Sequence, residues 1–303
     1  MKSKTSLIKK IYQALPFKKQ FFEIIKKIYT PPKNIYRHLF FKGKFKVAIH
    51  EKAFYMNHYN NHGFVIEDGL FWEGLGVGRE AISIHLWYAL ASKADIIFDI
   101  GANTGLYSLI AKMVNPESKV YGFEPTHRIF EKYEANCKLN NFDVKCEQMA
   151  VSDQTGEVVI YDLPIVNNYS ATLNKNFSDV RHKPLLDSRL ETKVVCTTIK
   201  DYIEKNNITK IDLMKIDVEL HEPEVLLGMG EYLEKFRPTI LIEVMNNHIA
   251  TQIERVIEKC NYVYFRINEK GSIEEVEKIH AVNESNYLIC KPEVKTILKT
   301  FIK

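Results

Sequence analysis

The feature that most constrains the fold is a short apolar run that leads into a turn of small residues. Ile96–Ile100 is rich in branched residues and has the length and composition of a buried parallel strand. Gly101–Gly105 follows it, and apolar residues then recur at helical spacing, namely Leu106, Leu109, Ile110 and Met113. A strand, a tight turn and a helix form the ligand-bearing corner of an open α/β sheet, beyond the carboxyl ends of its strands.

The spacing within this turn separates two nucleotide chemistries. A dinucleotide fingerprint has the pattern G-x-G-x-x-G and places a pyrophosphate over the helix N-terminus. Here three residues separate Gly101 from Gly105, Asn103 stands between them, and Asp99 precedes the turn. A carboxylate repels a diphosphate but suits a cation. The corner therefore favours S-adenosylmethionine, whose sulfonium and ammonium are positive, over NAD, and a plain strand-turn-helix of another α/β enzyme stays open.

A second strand ends in an acid. Lys119–Phe123 leads into Glu124, which lies twenty-five residues after Asp99. A carboxylate at the tip of the strand beside a glycine corner can accept hydrogen bonds from both ribose hydroxyls. Pro125 then stops the strand, and the pattern predicts a helix from about Thr126 to Leu139.

Several ordered motifs make the chain resemble the FkbM family of class I methyltransferases. They are Asp99–Gly105, Phe123–Pro125, Leu213–Glu219, Glu222 and Val225–Gly228. The match spans roughly residues 94–245. The resemblance implies a Rossmann-like class I fold and S-adenosylmethionine as the cofactor. The family pattern has Gly where this chain has Leu220, a departure that concerns the loop after Asp217 and the choice of acceptor.

The resemblance also implies a set of cofactor-binding residues. Those in the two motifs are Asp99, Gly101, Asn103, Thr104, Gly105, Glu124 and Pro125. In class I methyltransferases the loop after the third strand, here Val144–Met149, lies against the adenine ring. Ala150, Val151 and Ser152 are therefore candidate contacts, although a plain turn completed by Asp153–Gly156 explains the same residues.

Acidic residues and one histidine cluster after the fourth predicted strand, Ile211–Asp217. This strand should lie beside the first one across the switch point, which places Asp217 near the cofactor and facing the methyl acceptor. Methyl transfer from a sulfonium depends on positioning, and a hydroxyl acceptor benefits from a base. Histidine has the most suitable unperturbed pKa, whereas a carboxylate needs its pKa raised by neighbouring acids. Asp217 and His221 are both candidate bases, with Glu219 and Glu222 beside them.

A lysine stands on the same side of this strand. Lys215 lies two residues before Asp217, in a strand that should be buried on both faces. It either pairs with Asp217 or Glu243 and holds that carboxylate in place, or buries its stem and extends its amine to water.

A divalent metal is an alternative way to activate the acceptor. Asp217 and Glu243 should end adjacent strands, and Asn246 and Asn247 follow closely. Mg²⁺ accepts a few such oxygen ligands together with waters. As a Lewis acid it would lower the pKa of the acceptor hydroxyl.

The charge of the chain is strongly polarised. Residues 1–50 carry thirteen Lys or Arg and one acid, a net charge of +12, whereas the whole chain has +4, which leaves −8 for the rest. In Phe17–Tyr29 a helical wheel groups Phe17, Phe21, Ile24, Ile25 and Ile28 on one side. A basic amphipathic helix can lie on an anionic membrane through residues 1–33. A terminal helix packed on the domain with solvated lysines explains the pattern equally well, and no nucleic-acid recognition motif accompanies the charge.

We expect three regions: a basic extension over 1–47, a lead-in over 48–93 and the cofactor-binding domain over 94–303. Short strands are predicted in the lead-in at Phe45–Ile49, Ala53–Met56 and Gly63–Ile66. The domain should contain a doubly wound, mostly parallel seven-stranded sheet whose one antiparallel strand is Asn286–Cys290. A helix is predicted from Val218 to about Leu233.

A long polar segment, Asn167–Arg189, interrupts the second half of the chain and carries Arg181, His182 and Lys183. It is either a flap that binds the acceptor or a loop without a role.

The five cysteines are scattered without a C-x-x-C pair, which argues for a reducing compartment. No apolar run has membrane-spanning length, and lysines interrupt any secretory apolar region, so the expected location is the cytoplasm or the inner face of a membrane. The predicted function is S-adenosylmethionine-dependent O-methylation of a sugar, glycan precursor or secondary metabolite. An NAD-dependent oxidoreductase and a catalytically silent cofactor-binding module, suggested by Leu220, are the alternatives.

Overall fold

The computed structural model describes residues 11–61, 65–78, 80–162, 171–173, 190–281 and 285–302. The chain divides into two compact units, Met1–Val77 with Ile165–Asn168, and Gly78–Pro164 with Tyr169–Lys303. The three-region division expected from the sequence stays a prediction. Within the described ranges, none of the helices combines the length and the apolar character needed to cross a bilayer.

The first unit is small and rich in aromatic residues. Its elements are α1 (Lys18–Ile28), α2 (Lys33–Tyr36), β1 (Lys42–Ile49), β2 (Lys52–Tyr59) and α3 (Val65–Trp72). β1 and β2 pair as an antiparallel hairpin. Phe45, Val47 and Ile49 are buried and alternate with exposed residues, the period-two pattern of a strand with one covered face.

The strand predicted at Gly63–Ile66 is wrong where it can be compared. Val65 is the first residue of helix α3, and residues 62–64 lie outside the described ranges. Two acids in the first turn, Glu67 and Asp68, favour a helix N-terminus at this point. The apolar run was too short to distinguish a strand from a buried helix.

The second unit contains two sheets and most of the helices. The strands of the large sheet are β3 (Ile96–Ile100), β4 (Lys119–Phe123), β5 (Val144–Glu147), β10 (Leu213–Ile216), β11 (Thr239–Val244), β12 (Val263–Asn268), β13 (Ser272–Val276) and β14 (Ser285–Cys290). The strands of the small sheet are β6 (Ala150–Val151), β7 (Gly156–Asp162), β8 (Ala171–Thr172) and β9 (Leu190–Thr197). The helices are α4 (Ala81–Ala91), α5 (Leu106–Val114), α6 (His127–Leu139), α7 (Ile199–Asn206), α8 (Glu222–Leu227), α9 (Glu231–Phe236), α10 (Asn247–Ile257) and α11 (Lys295–Leu298).

The large sheet has the order β13-β12-β14-β11-β10-β3-β4-β5. Strands β5, β4, β3, β10 and β11 run parallel, and the strand order reverses between β3 and β10. β14 pairs antiparallel with β11, as predicted for Asn286–Cys290. This topology confirms the Rossmann-like, doubly wound class. One further edge strand, β13, pairs antiparallel with β12 and brings the sheet to eight strands.

The two faces of the central strands differ in chemistry. One face is wholly apolar and carries Phe98, Ile100, Met214, Ile216 and Ile242 in a single buried cluster. On the other face Lys215 stands in register with Asp99 of β3 and Leu241 of β11. Lys215 and Asp99 are both buried. Two buried ionisable side chains at the centre of a sheet require compensating partners.

The single helix predicted from Val218 to Leu233 is wrong, because the structure has two short helices, α8 and α9, in its place. The chain turns at Gly228 and Gly230. A Cβ at Gly228 would lie 2.1 Å from the Ser152 carbonyl oxygen, and Gly230 has a φ of +52°. Close packing at the first glycine and a left-handed backbone at the second end the helix.

Candidate active site

The predicted carboxylates lie at one edge of the large sheet. Glu124 follows β4, Asp217 follows β10, and Glu243 is the penultimate residue of β11. These strands are parallel to β3, so their carboxyl ends meet the turn after Ile100 at the same edge. The sheet thus assembles residues that are far apart in the sequence.

The first glycine of the turn has a packing reason for its identity. Gly101 has a φ of +77°, and a Cβ there would lie 1.9 Å from the Asp217 carbonyl oxygen. The amides of Gly101 and Ala102 donate to the Phe123 carbonyl. The missing Cβ leaves room for the chain after β10, which lies directly against the glycine turn.

Glu124 fastens the turn from the neighbouring strand. Its Oε2 accepts from the Asn103 amide at 3.2 Å, and its Oε1 accepts from the Thr126 amide at 2.8 Å, around Pro125. Asn103 holds a φ of +53°, which positions its amide for this bond. Burial raises the pKa of Glu124 to about 7, although the two amides act to lower it.

Asp99 is directed into the helix that follows the turn. Its Oδ2 accepts from the Ser108 amide at 2.9 Å and from the Ser108 hydroxyl at 2.6 Å. The Ser108 hydroxyl lies 2.7 Å from the Tyr133 hydroxyl. Burial raises the pKa of Asp99 to about 6 against the bonds from Ser108 and the charge of Lys215. Asp99 therefore anchors α5 to β3 in addition to any role toward a cation.

The rest of the turn packs against α6. A Cβ at Gly105 would lie 2.3 Å from the Tyr133 ring, and Gly105 has a φ of +89°. The Thr104 carbonyl accepts from the Asn136 side chain at 3.0 Å. Among the described residues the Thr104 hydroxyl is buried without a hydrogen-bond partner.

The candidate adenine contacts form a strand and not a plain loop. Ala150 and Val151 constitute β6, which pairs parallel with the end of β9, and both are buried. The Ser152 amide continues the ladder by donating to the Thr197 carbonyl. The Ser152 hydroxyl lies 2.8 Å from Nε2 of His221, so this segment lies beside the chain after β10.

A lysine is enclosed by acids at the centre of the edge. Lys215 is 1% exposed, and its Nζ lies 3.0 Å from Oδ2 of Asp217 and 5.2 Å from the centre of the Tyr107 ring. The Tyr107 hydroxyl donates to Glu80 at 2.8 Å. Burial acts to lower the pKa of Lys215, but the charges of Asp217, Glu80 and Glu243 raise it above its ordinary value. Of the two expectations for Lys215, the structure shows the pairing with Asp217.

Around it, Asp217, Glu219, Glu222 and Glu243 form a group that we call the carboxylate cluster. Burial, followed by repulsion from Asp217 and Glu219, raises the pKa of Glu222 to about 8. The charge of Asp217, followed by burial, raises the pKa of Glu243 well above its ordinary value. Glu222 Oε1 accepts from the Val218 amide at 3.2 Å. Asp217, the carboxylate that pairs with Lys215, has a side chain that is 34% exposed and reaches the surface.

The loop after β10 has an unusual backbone. Glu219 and Leu220 have φ values of +55° and +74°, and the Leu220 position is the one at which the family pattern has Gly. The Glu219 carbonyl accepts from the Thr172 hydroxyl at 2.6 Å. Thr172 belongs to the interrupting polar segment, of which Arg181, His182 and Lys183 lie outside the described ranges. A branched side chain at positive φ is strained, which marks this loop as constrained by its surroundings.

His221 belongs to a different network from Asp217. Its Nε2 contacts the Ser152 hydroxyl, and its Nδ1 lies 3.6 Å from Glu224. Burial lowers the pKa of His221, although the charges of Glu224 and Asp153 act to raise it. The two candidate bases thus have separate partners.

The asparagines proposed as metal ligands have other contacts. Oδ1 of Asn246 accepts from the Ile249 amide at 3.0 Å, and Oδ1 of Asn247 accepts from the Ala281 amide at 2.9 Å. In the described part of the chain, no three His, Cys, Asp or Glu side chains are grouped so as to hold a metal ion. The Asp217 carboxylate is paired with the Lys215 ammonium.

Sequence reasoning missed Tyr107, Ser108 and Thr172. Tyr107 and Ser108 lie in the first turn of α5, where an apolar helical pattern conceals their polar contacts. The contacts of Ser108 with Asp99 and of Tyr107 with Lys215 follow from how α5 packs on the sheet.

A cavity of about 480 Å³ lies at the opposite edge of the sheet. Ala94, Ile211 and Thr239 line it at the amino ends of the central strands. It is separate from the carboxylates described above.

A family profile described as "Methyltransferase FkbM domain" matches residues 99–264. The "31-O-demethyl-FK506 methyltransferase FkbM" of Streptomyces tacrolimicus is 29% identical over 45% of this chain and 60% of its own length. The "Hexuronic acid methyltransferase AglP" of Haloferax volcanii is 24% identical over 53% of this chain and 60% of its own length.

Both alignments therefore span about 60% of the length of the relative. A crystal structure of a methyltransferase FkbM from Methylobacillus flagellatus aligns with a TM-score of 0.41 and 14% identity. That alignment covers 65% of this chain and 43% of the other.

Proposed function

The chain belongs to the FkbM methyltransferase family, and from this we propose that it transfers a methyl group from S-adenosylmethionine to a hydroxyl group of an acceptor. The family profile covers both the glycine corner at residues 99–105 and the carboxylate cluster. The observation that carries the proposal is the pairing of Asp217 with the buried Lys215 at the carboxyl end of β10. This pairing puts a partly exposed carboxylate beside the point at which the strand order of the sheet reverses.

The residues at the glycine corner fit the proposed cofactor. Each Glu124 carboxylate oxygen accepts one amide and keeps a lone pair for a ribose hydroxyl. Thr104 supplies a buried hydroxyl with no other hydrogen-bond partner in the described residues. Asp99 contributes negative charge at the same corner. When bound, S-adenosylmethionine supplies an electrophilic methyl group on its sulfonium.

We assign the general base to Asp217. Lys215 fixes the Asp217 carboxylate from the buried side, and the 34% exposed side chain leaves that carboxylate open to an acceptor. Glu222 is buried and its Oε1 accepts from the Val218 amide, whereas Asp217 is the partly exposed carboxylate. Asp217 receives the proton of the acceptor hydroxyl, and the sheet edge positions the reacting oxygen. His221 is held by Ser152 and supports the loop.

The acceptor is a hydroxyl of a sugar, glycan precursor or secondary metabolite. The names of the two relatives support this class, since one concerns an O-demethylated natural product and the other a hexuronic acid. The Leu220 loop, to which Thr172 is hydrogen-bonded, follows Asp217, and we expect it to discriminate among such hydroxyls.

The test is an S-adenosylhomocysteine-release assay on the full chain with a panel of hydroxylated acceptors that includes hexuronic acids. With an active acceptor, Asp217→Asn should lower kcat by about 100-fold or more, the usual contribution of a general base. His221→Asn, the matched control, should lower it much less. The reverse order would transfer the role to His221.

Two further arms of the assay address the alternatives. Activity that survives extensive chelation would remove the metal alternative. Loss of activity on chelation, with recovery on adding Mg²⁺, would show that Asp217 is not the sole means of activating the acceptor hydroxyl. Binding of S-adenosylhomocysteine without turnover of any acceptor would favour the silent module.

A further inference from the structure

Helix α1 presents apolar side chains to solvent along one side. Phe21 and Ile24 are each 60% exposed, Ile28 is 85% exposed, and Phe17 just before the helix is 75% exposed. Their spacing of three and four residues places them in one row, which we call the α1 stripe. Large apolar side chains that are grouped and exposed, unlike scattered ones, indicate an interaction surface.

A different side of α1 is already used for packing. Phe22 is 4% exposed, and its ring centre lies 5.5 Å from that of Trp72 and 6.5 Å from that of Phe41. Lys26 extends over the Phe71 ring at 5.3 Å, and burial lowers its pKa. The helix is therefore anchored to its own unit through Phe22, and the α1 stripe is additional to that unit's core. The sequence pattern alone grouped Ile25 with the stripe and omitted Phe22.

The segment that carries the stripe is rich in exposed basic residues. Lys27 adjoins it on the helix, and other exposed cations follow in the same unit, namely Lys33, Arg37, Lys42, Lys44 and Lys46. The first fifty residues have a net charge of +12, against −8 for the remainder. An apolar row on a strongly basic segment matches a membrane surface, which has anionic headgroups above an apolar interior.

We infer that the α1 stripe is a membrane-docking surface that inserts into the interfacial region of a bilayer containing anionic lipids. Phe and Ile side chains enter the boundary between headgroups and acyl chains, and the lysines contact the headgroups. The bilayer fits better than a second copy of the chain, because two copies of this basic surface would repel each other. The inference is independent of the proposed methyl transfer, since no residue of the carboxylate cluster takes part.

The test is co-sedimentation of the full chain with phosphatidylcholine vesicles and with vesicles that also contain phosphatidylglycerol. The wild-type protein should bind the anionic vesicles and be released by high salt. Phe21→Gln with Ile28→Gln should lower the partition coefficient by about 10-fold or more, because apolar insertion is lost. Leu227→Gln with Val195→Gln is the matched control, since both side chains are exposed and lie in the other unit, and it should bind like the wild type.

Two results would overturn the inference. One is equal partition of the stripe variant and the wild type. The other is a wild-type dimer in gel filtration that the stripe variant loses, together with no vesicle binding, which would make the stripe a contact between copies. Circular dichroism of each variant checks that the fold is retained.

Discussion

Leu220 has a strained backbone conformation within the candidate site. Its φ of +74° is a conformation that glycine adopts freely, whereas a side chain there costs about 1–2 kcal/mol. Its side chain compensates in part by packing on the apolar cluster of the large sheet. The replacement of the family's Gly by Leu220 was visible in the sequence, but the positive φ that strains this residue was not.

We predict that Leu220→Gly is more stable than Leu220→Ala by about 1 kcal/mol, because both variants lose the packing and only glycine removes the strain. The measurement is denaturant unfolding of both variants. Leu227 in α8 has no positive φ and serves as the control, where Ala should be more stable than Gly by about 1 kcal/mol. The same order of Gly and Ala at both positions would contradict the claim of strain.

Glu222 gives a prediction for pH. Its pKa is raised from 4.5 to about 8, so the folded protein keeps this proton to a higher pH than the unfolded chain does. The resulting stabilisation is fully present below the unfolded pKa and is lost as pH rises through about 8. Glu222→Gln keeps the hydrogen bond to Val218 but cannot ionise.

Between about pH 5 and pH 9, the wild-type free energy of unfolding should therefore fall more steeply than that of Glu222→Gln. Other acids with raised pKa values, including Asp99, contribute a slope common to both proteins. Parallel pH profiles for the two proteins would show that Glu222 is already ionised in the fold.

At the scale of elements, the site depends on how closely α6 approaches the sheet. Tyr133 lies against two glycines, and a Cβ at Gly122 of β4 would lie 1.8 Å from its hydroxyl. The same hydroxyl contacts Ser108, which in turn binds Asp99. The glycines thus allow one tyrosine to fix β4 and the first turn of α5 together.

Gly122→Ala should destabilise the protein by about 1–3 kcal/mol through overpacking against Tyr133. Gly271, where an added Cβ meets nothing within 4 Å, is the matched control and should change stability by about 0.5 kcal/mol or less on mutation to Ala. In a Tyr133→Leu background the penalty of Gly122→Ala should shrink, which a thermodynamic double-mutant cycle measures. An unchanged penalty would show that another contact is responsible.

The sequence predicted the strands that are apolar and parallel, because buried central strands form continuous apolar runs. It missed β13, an edge strand with exposed Glu274 and Glu275, because its pattern is largely polar. It also foresaw which acids would share an edge, since parallel strands place their carboxyl ends together. It did not foresee that Asp99 binds Ser108 or that Lys215 lies over Tyr107, because these contacts depend on how α5 packs on the sheet.

At the scale of the whole molecule, the first fifty residues and the rest of the sequence carry net charges of opposite sign. The basic first fifty residues carry the α1 stripe, and the acidic remainder carries the cofactor corner and the carboxylate cluster. The charge polarity and the amphipathic pattern were evident in the sequence. The side of α1 that is buried was not, because it is decided by the fit of Phe22 among Phe41 and Trp72.

The most direct test of the central claim is calorimetric titration of the full chain with S-adenosylhomocysteine. The wild-type protein should show saturable one-to-one binding. Glu124→Ala should weaken it by about 10-fold or more, because a carboxyl acceptor for hydroxyl hydrogen bonds is lost. Glu231→Ala, a surface control whose partner is Lys200, should bind like the wild type. Absence of binding by the folded wild-type protein would contradict the assignment of S-adenosylmethionine as the cofactor.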